Sequence, residues 1–468
     1  MLAAKLWQQA RDNSAPAMGL LIFRAGEQQL GGICGAGVSS STSMRFGSIT
    51  KTFTALTLLT LARDGLVDLQ QPVAQLLPKA IFNNPWSATA PLRVRHLLEL
   101  SAGLPDLSAP EWNNAKPISL AQALTLDPRK RRLLWPPGLQ HSYSNSVPGI
   151  SQVLIEKFGN AALEPVMQRQ VFAPLGMSGA SLSAQVQLPG GYQADGKTPI
   201  PYWHMSFPAF GALNATLSDM STGLRWLIMQ GCQWQRDKCR HGTPSNAATD
   251  ALRFKATDRR ALFEPNATAA AAAGLQVGYA AGIYPRIRFG TVFYGHGGDA
   301  DGYRSRYGFD PRSGHGYLVV INSDNPSLLG RLVKQLERHL ATPRREPRLA
   351  PTPKAAEFSG RYYPSSARFD VARWRRGEAT EVRVSLGPDQ LLFTKNARQT
   401  ILLPVAGAKL PGAALFRRAD DPVASVAFTT TLLPGSAVPA TLLQGELGNY
   451  VRVAPGACPP IFPFCDSQ

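Results

Sequence analysis

Ser48 and Lys51 form the only Ser-x-x-Lys motif in the chain, at the start of a predicted helix. Three residues turn an α-helix by about 300° and raise it by ~4.5 Å, so the hydroxyl and the amine share one face. A serine becomes a strong nucleophile when a neighbouring base takes its proton, and a partly desolvated lysine can be that base. The helix N-terminus would also favour an oxyanion. In isolation, such a motif more often marks an N-cap serine beside a solvent-facing lysine.

A tyrosine and an asparagine follow in the loop 135–145, which leads into a second predicted helix. A nearby lysine ammonium can lower the pKa of the Tyr143 phenol, which can then act as a general base and later protonate a leaving group. The amide of Asn145 can hold a substrate. A tyrosine in such a loop is otherwise most often a packed aromatic residue.

Glycines surround His296 in the segment 295–298, which lies between two strand-like runs. Residues without a Cβ let a substrate lie against a strand edge, where main-chain N–H groups can donate to an oxyanion. The alternative interpretation of this segment is a plain β-turn.

Hydrophobic periodicity and turn residues predict the elements that must position these groups. Segments 18–23 and 29–34 form a predicted hairpin, and a helix over 48–63 would end with Gly65 at its C′ position. The alanine run 269–273 is interpreted as a surface insertion without chemistry. Further helices are predicted at 2–11, 147–158, 218–230 and 327–340, and strands at 276–283, 291–294, 303–309 and 316–322.

The periodicity changes after a stretch that contains four prolines among charged residues, at 343–354. This composition predicts an extended, semi-rigid linker between a first domain over 1–342 and a second over 355–468. In the second domain residues 381–386 alternate strictly between apolar and polar, and turn residues recur, which predicts a small all-β sandwich or barrel.

Composition sets broad limits on the class of protein. The chain has 468 residues, of which 44% are hydrophobic and 17% charged, so a sizeable core is expected and global disorder is excluded. No apolar run reaches the ~18 residues that span a bilayer. The net charge of +18 suits an anionic envelope or cell-wall surface. The short basic clusters at 129–132 and 344–345 come without a nucleic-acid-binding signature, so no nucleic-acid partner is predicted.

Four of the five cysteines are spaced as two pairs, Cys232 with Cys239 and Cys458 with Cys465, and Cys34 is left over. Two disulfides closing short loops are favoured over reduced thiols, and the spacing is too wide for a zinc knuckle. The pairs predict a periplasmic or secreted protein, whose numbering would then begin after a removed signal peptide.

Taken together, the motifs resemble the penicillin-recognising serine hydrolases, specifically the class C β-lactamase-like group of D,D-peptidases, D-aminopeptidases and carboxylesterases. The three motifs occur in the order of that group, and the resemblance covers about residues 5–340. It is supported by further signposts at 46–54, 96–105, 172–177 and 302–305. The resemblance implies an α+β fold, in which an antiparallel sheet is flanked by helices and joined by an all-helical region. The small C-terminal all-β domain is also similar to one found in some members.

Residue by residue, the resemblance implies that Ser48 is the acylated nucleophile and Lys51 its proton partner. Tyr143 would be the general base and then the acid toward the leaving group. The oxyanion hole would consist of the main-chain N–H groups of Ser48 and Asp299, each donor typically worth ~10²–10³ in rate. No metal or cofactor is implied. Substrate contacts are implied for Asn145, His296, Gly297 and Gly298.

The third motif departs from the lactamase pattern, because His296-Gly297-Gly298 replaces Lys-Thr-Gly. Since that lysine and threonine help to hold the substrate carboxylate, efficient β-lactam hydrolysis is not expected. Arg304 or Arg306 could supply another positive charge, although a surface role is favoured for both. The remaining histidines are interpreted as structural or surface residues: His96, His141, His204, His315 and His339.

The leading hypothesis is a serine hydrolase that cleaves small molecules or short peptides through an acyl-enzyme on Ser48. A peptidase for D-amino-acid substrates and a carboxylesterase rank about level, with a β-lactamase third. A catalytically weak binding protein on the same fold is the alternative, but a binder has no need of Ser48, Lys51 and Tyr143 together.

Overall fold

The computed structural model describes residues 2–184, 188–230, 233–235, 238–240, 251–347, 349–350, 355–366, 368, 381–388, 390–432 and 439–452. The described helices are α1 Leu2–Asp12, α2 Thr50–Arg63, α3 Val73–Leu76, α4 Val94–Leu98, α5 Ala109–Trp112, α6 Leu120–Thr125, α7 Ser146–Gly159, α8 Leu163–Met167, α9 Leu217–Gln230, α10 Ala256–Phe263, α11 Ala269–Ala272 and α12 Pro326–Leu340. The predicted long helices are thereby confirmed to within two residues at each end.

The first part of the chain contains one six-stranded antiparallel sheet, in the order β2-β1-β12-β11-β10-β9. The strands of this part are β1 Ala17–Arg24, β2 Glu27–Gly35, β3 Met44–Arg45, β4 Gly191–Tyr192, β5 Pro199–Ile200, β6 Asn214–Ala215, β7 Gln233–Gln235, β8 Lys238–Arg240, β9 Tyr284–Arg288, β10 Thr291–Ala300, β11 Tyr303–Asp310 and β12 His315–Ile321. An α+β arrangement is therefore confirmed.

Both faces of the sheet are covered, and strand β1 shows why its sequence is apolar throughout. Leu20 and Ile22 belong to the cluster that packs against α1 and α12. Leu21 and Phe23 point to the opposite face, toward the main core around α2. Because side chains alternate along a strand, a strand buried on both faces needs apolar residues at every position.

Helix α2 is buried along almost its whole length. Two of its threonines hydrogen-bond to distant segments, as Thr52 donates to the Gly282 carbonyl and Thr54 to the Ala209 carbonyl. The helix ends as predicted, with Gly65 at φ +75° just after it. A buried helix with every polar group paired gives its N-terminus a fixed position.

The C-terminal part forms a closed antiparallel barrel, which decides between the sandwich and the barrel left open by the sequence. Its eight strands are β13 Gly360–Pro364, β14 Val382–Gly387, β15 Gln390–Lys395, β16 Arg398–Val405, β17 Ala414–Arg418, β18 Val426–Leu432, β19 Pro439–Gly445 and β20 Tyr450–Arg452, with β13 pairing β20. Aromatic residues including Phe358, Tyr362 and Phe428 fill the barrel.

The barrel packs directly on the first part of the chain. Gln444 donates to the Leu139 carbonyl at 2.8 Å and Asn449 to the His141 carbonyl at 2.7 Å. An apolar cluster under the barrel includes Leu275 and Leu415. The loop 139–141, which leads to Tyr143, is therefore held from the barrel side.

Two sequence predictions are corrected here. The strand predicted over 276–283 is an irregular segment, and the strand forms at β9 instead. Glycines at 278 and 282, the latter at φ +66°, favour a turning backbone over an extended one. The alanine run 269–273, interpreted from sequence as a surface insertion, instead forms α11 and packs beneath the barrel.

The predicted disulfides lie outside the described residues. Cys232, Cys458 and Cys465 are not described, and Cys239 lies on β8, which pairs with β7. Cys34 is a free thiol on β2.

Residues 348 and 351–354 of the predicted linker are also outside the described part. In the described residues, no helix is both long and apolar enough to cross a membrane.

Candidate active site

Ser48 lies in a 3₁₀ turn immediately before α2, and two glycines let this turn touch β10. Gly47 has φ +54°, and a Cβ on it would lie 2.7 Å from the main-chain nitrogen of Asp299. A Cβ on Gly298 would collide with the Phe46 carbonyl oxygen. Main chain therefore packs on main chain where residues 46–47 meet residues 298–299.

The second half of β10 presents an open strand edge to the site. In the described residues, β9 pairs with β10 from Thr291 to Gly295, whereas from His296 onward β10 pairs with β11 alone. Gly297 and Asp299 line the adjoining cavity. The strand edge predicted from the glycines is confirmed, and the β-turn alternative is wrong.

Lys51 is buried beside Ser48 and has three hydrogen-bonding partners. Its Nζ lies 2.9 Å from Ser48 Oγ, 2.6 Å from Asn145 Oδ1 and 2.8 Å from the carbonyl oxygen of Phe210. The side chain is 3% exposed, so the solvent-facing lysine of the alternative interpretation is wrong. The motif therefore brings the amine to the nucleophile.

The three partners determine which hydrogen bonds Lys51 can make when it is protonated and when it is neutral. The oxygens of Asn145 and Phe210 only accept, so they take two N–H bonds from the amine. A neutral amine has no third N–H, so its lone pair would then accept the hydroxyl proton of Ser48. Burial lowers the pKa of Lys51 well below its usual value, which favours this neutral, basic form.

Tyr143 lies beside both residues of the motif. Its hydroxyl interacts with Ser48, and Lys51 Nζ lies 4.9 Å from its ring centroid. Burial raises the pKa of the Tyr143 phenol, which is the opposite of the direction expected from a neighbouring lysine. Desolvation outweighs the effect of the nearby Arg368 cation on this pKa. Tyr143 is thus protonated near neutral pH and available as an acid.

Asn145 stands at the start of α7 and is oriented by a buried aspartate. Asp106 Oδ1 accepts from the main-chain nitrogen of Asn145 at 2.8 Å and from its Nδ2 at 3.0 Å. With Nδ2 committed to Asp106, Oδ1 faces Lys51. Asn145 therefore contacts the Lys51 amine directly, and the substrate contact implied by the resemblance stays a prediction.

His296 is buried and neutral, so it does not replace the positive charge of the lysine in Lys-Thr-Gly. Its Nδ1 faces the Gly297 carbonyl, which only accepts, and its Nε2 lies 3.1 Å from the Tyr279 hydroxyl. This pattern places the ring proton on Nδ1. Burial and the neighbouring Lys51 hold the pKa of His296 well below its usual value.

Two arginines stand near this position. Arg304 pairs with Asp299 at 2.9 Å and with Asp324 at 2.6 Å, so its charge is compensated. Arg306 lies with its guanidinium 5.6 Å from the Tyr284 ring centroid and lines the cavity. Arg306 is therefore the better candidate for the missing substrate-binding cation.

The cavity in front of Ser48 has a volume of about 470 Å³. One side is apolar and aromatic, with Leu275, Val277, Tyr279 and the rings of His141 and Tyr284 among its lining residues. The barrel supplies another side, formed by Arg368, Gln444, Gly445, Glu446 and Asn449. His141, interpreted from sequence as structural or surface, lines this cavity and stacks on Tyr279 at 5.0 Å.

Sequence reasoning missed several of these residues. Asp106 directly follows the signpost 96–105, yet neither its type nor its spacing singled it out. Phe210 contributes only a carbonyl group, which no sequence pattern reveals. Arg368 lies in the C-terminal domain, where no functional motif was found.

A comparison with known proteins shows what the chain is similar to. The chain is 25% identical over 166 residues to a β-lactamase of Yersinia enterocolitica, an alignment that covers 34% of this chain and 40% of the relative. The chain thus matches less than half of the length of that curated relative.

Among solved structures, that of SurE with D-Leu has a TM-score of 0.57 and 21% identity, covering 97% of this chain and 98% of SurE. The D-amino acid amidase of Ochrobactrum anthropi SV3, solved with L-phenylalanine, has a TM-score of 0.55 and 19% identity, over 72% of this chain and 95% of the amidase. At these identities the likeness shows the fold. The family model described as Beta-lactamase matches residues 3–342. The chain belongs to the Beta-lactamase family.

Proposed function

We propose that the protein is a serine hydrolase that cleaves amide or ester bonds of small acyl donors through an acyl-enzyme on Ser48. The observation that carries the proposal is the set of contacts around Lys51, whose amine has Ser48 Oγ as its third partner. This arrangement makes an unprotonated lysine the base for the nucleophile.

In the first step, Lys51 accepts the hydroxyl proton while Ser48 Oγ bonds to the substrate carbonyl carbon. The carbonyl oxygen gains the negative charge, for which the N–H groups of Ser48 and Asp299 are the proposed donors. When the bond to the leaving group breaks, the phenol of Tyr143 gives it a proton. The Lys51 ammonium then restores the phenol, so the proton lost by Ser48 is balanced by the one that leaves.

In the second step, water attacks the ester on Ser48. Its proton passes to the neutral Lys51 amine, and the same proton returns to Oγ as the acyl group departs. Lys51 and Tyr143 therefore end the cycle as they began. No cofactor takes part in this scheme.

The substrate proposed here is a small amide or ester whose acyl part carries a D-residue. The aromatic and apolar side of the cavity suits an uncharged side chain, and Arg306 suits an anionic or carbonyl group. Two of the structural relatives support the D-configuration, since one is a D-amino acid amidase and another was solved with D-Leu. Ester cleavage by the same machinery ranks beside amide cleavage.

The proposal is tested by intact-mass labelling with a fluorophosphonate. Wild type should gain one adduct, Ser48→Ala none, and Ser41→Ala, at an exposed serine of the preceding loop, should label like wild type. A parallel incubation with penicillin asks whether Arg306 can hold the drug's carboxylate, because the buried neutral His296 offers it no charge. An unlabelled wild-type protein would refute the hydrolase and favour a binding protein.

A further inference from the structure

Arg368 connects the C-terminal barrel to the catalytic residues. It follows strand β13, and its Nε donates to Asp106 Oδ2 at 2.8 Å. Its guanidinium carbon lies 4.5 Å from the ring centroid of Tyr143. Its side chain is 31% exposed, whereas that of Asp106 is 4% exposed. A cation from the second domain therefore sits over one catalytic residue and is paired with a carboxylate behind another.

The carboxylate that Arg368 meets is the one that orients Asn145. Asp106 accepts from the nitrogen of Leu107 and from both nitrogens of Asn145. A buried carboxylate is costly unless it is paired, and Arg368 supplies the opposite charge. The contacts thus run from Arg368 through Asp106 and Asn145 to Lys51.

The residues just before Arg368 hydrogen-bond both to the first domain and to the barrel. Ser365 donates through its hydroxyl to Gln140 Oε1 at 2.8 Å and accepts from Gln140 Nε2 at 2.6 Å through its carbonyl oxygen. Its main-chain nitrogen donates to the Asn449 carbonyl in the barrel. The hydroxyl of Ser366 lies 3.1 Å from that of Ser142, next to Tyr143. The position of Arg368 therefore follows from the docking of the barrel.

We propose that Arg368 is a positioning residue of the acylation machinery, and that the docked barrel completes the active site by supplying it. Arg368 balances the charge of Asp106, which keeps the Asn145 amide turned toward Lys51. This inference rests on the proposed serine hydrolase function and assigns the C-terminal domain a part in it.

The charges around Lys51 predict the direction in which its pKa should change when Arg368 is replaced. Asp106 and Asp299 act to raise its pKa, Arg368 acts to lower it, and His296 and Tyr143 face the amine in neutral form. Removing Arg368 takes away a cation and leaves Asp106 uncompensated. Both changes favour the protonated amine, so acylation should require a higher pH.

The test is the rate of fluorophosphonate labelling at Ser48 as a function of pH, with the full-length protein. For Arg368→Met we expect a midpoint about one pH unit higher than in wild type, and labelling about tenfold slower at pH values well below both midpoints. Arg368→Lys keeps the charge and should hold the midpoint near that of wild type. Arg383→Met removes an exposed barrel arginine as the matched control and should change neither quantity.

A double variant separates charge balance from a merely structural role. Adding Asp106→Asn to Arg368→Met removes the uncompensated charge and should return the midpoint toward that of wild type. If Arg368→Met does not fold, Arg368→Gln takes its place in the same series.

Two results would overturn the inference while leaving the hydrolase intact. A wild type labelled at Ser48, with an Arg368→Met midpoint that does not move, would show that Arg368 does not act on Lys51. A higher KM confined to substrates that carry a carboxylate, at an unchanged pH profile, would make Arg368 a substrate contact instead. An unlabelled wild type would refute the proposed function itself.

Discussion

Lys51 Nζ and Asn145 Oδ1 lie 2.6 Å apart, although the two residues are 94 positions apart in the chain. The contact joins the N-terminal turn of α2 to the start of α7, and it occupies one N–H of the amine. With Phe210 occupying another, the reactive direction of the amine is toward Ser48. Two helices packed side by side thus fix the direction of one proton transfer.

The first prediction concerns the pH dependence of acylation. Because burial lowers the pKa of Lys51, the rate should rise as pH increases through that lowered value, well below the ordinary lysine range. Lys51→Arg stays protonated and should lose on the order of 10³-fold in kcat/KM for a chromogenic ester. A Lys51→Arg protein that keeps the wild-type rate and profile would exclude Lys51 as the base.

The second prediction separates the roles of Lys51 and Tyr143. If the protonated phenol serves the leaving group, Tyr143→Phe should slow amide cleavage by ~10²–10⁴-fold. It should slow a p-nitrophenyl ester far less, because nitrophenolate departs without a proton. Equal losses of kcat on both substrates would show that Tyr143 acts on Ser48 rather than on the leaving group. Tyr202→Phe, at a tyrosine beside Arg45 outside the cavity, is the control.

Much of this site was predictable because its residues form short motifs on regular elements. Ser48 and Lys51 share a helix face, and the glycines around His296 mark the strand that touches them. The boundaries of α2 and its end at Gly65 followed from the same local rules. Local sequence patterns therefore located the proposed nucleophile and its proposed base.

What the sequence did not predict depends on long-range contacts or on burial. Asp106 and Arg368 meet across two domains, and no local pattern relates them. The pKa of Tyr143 rises because of burial, which depends on packing by distant segments. The sequence of the segment 276–283 predicts a strand, but the segment is irregular and lines the cavity. Its Tyr279 packs on His296, which is a long-range contact that no local pattern reveals. The sequence motifs therefore predicted which groups would react, whereas the protonation state of those groups depends on the tertiary structure.

The third prediction tests the contact of main chain on main chain beneath the nucleophile. Gly47→Ala would place a methyl group 2.7 Å from the Asp299 nitrogen and impose φ +54° on alanine. The backbone must then separate, so labelling of Ser48 should be lost. Gly37 has φ +69°, and a methyl group there would have no atom within 4 Å, so Gly37→Ala carries the conformational cost of ~1–2 kcal/mol alone.

Comparing Gly47→Ala with Gly37→Ala separates the effect of the lost backbone contact from the conformational cost of alanine at a positive φ. Gly37→Ala should lower the melting temperature slightly and label at the wild-type rate. Gly47→Ala should be less stable than Gly37→Ala and label at least ~10²-fold more slowly, as expected for the loss of an oxyanion donor. Equal labelling in both variants would remove Asp299 from the proposed oxyanion hole.

The fourth prediction concerns Glu99, whose carboxylate accepts from the main-chain nitrogens of Asn266 and Ala267 in a buried position. Burial raises its pKa to about 7, so the folded protein binds its proton more tightly than the unfolded chain does. The contribution of Glu99 to stability is therefore greatest below pH ~4.5 and falls as pH rises to about 7. Glu99→Gln removes this titration.

The expected outcome is a difference that depends on pH. From pH 5 to pH 8 the free energy of unfolding of Glu99→Gln should gain on the order of 1–3 kcal/mol relative to wild type, measured by urea denaturation. Glu264→Gln, at an exposed glutamate, is the control. Because Glu99 holds the backbone at 266–267 beside the cavity residues Pro265 and Thr268, the variant should also be assayed for labelling of Ser48. A Glu99→Gln difference that is the same at both pH values would mean that Glu99 ionises in the folded protein as readily as in the unfolded chain.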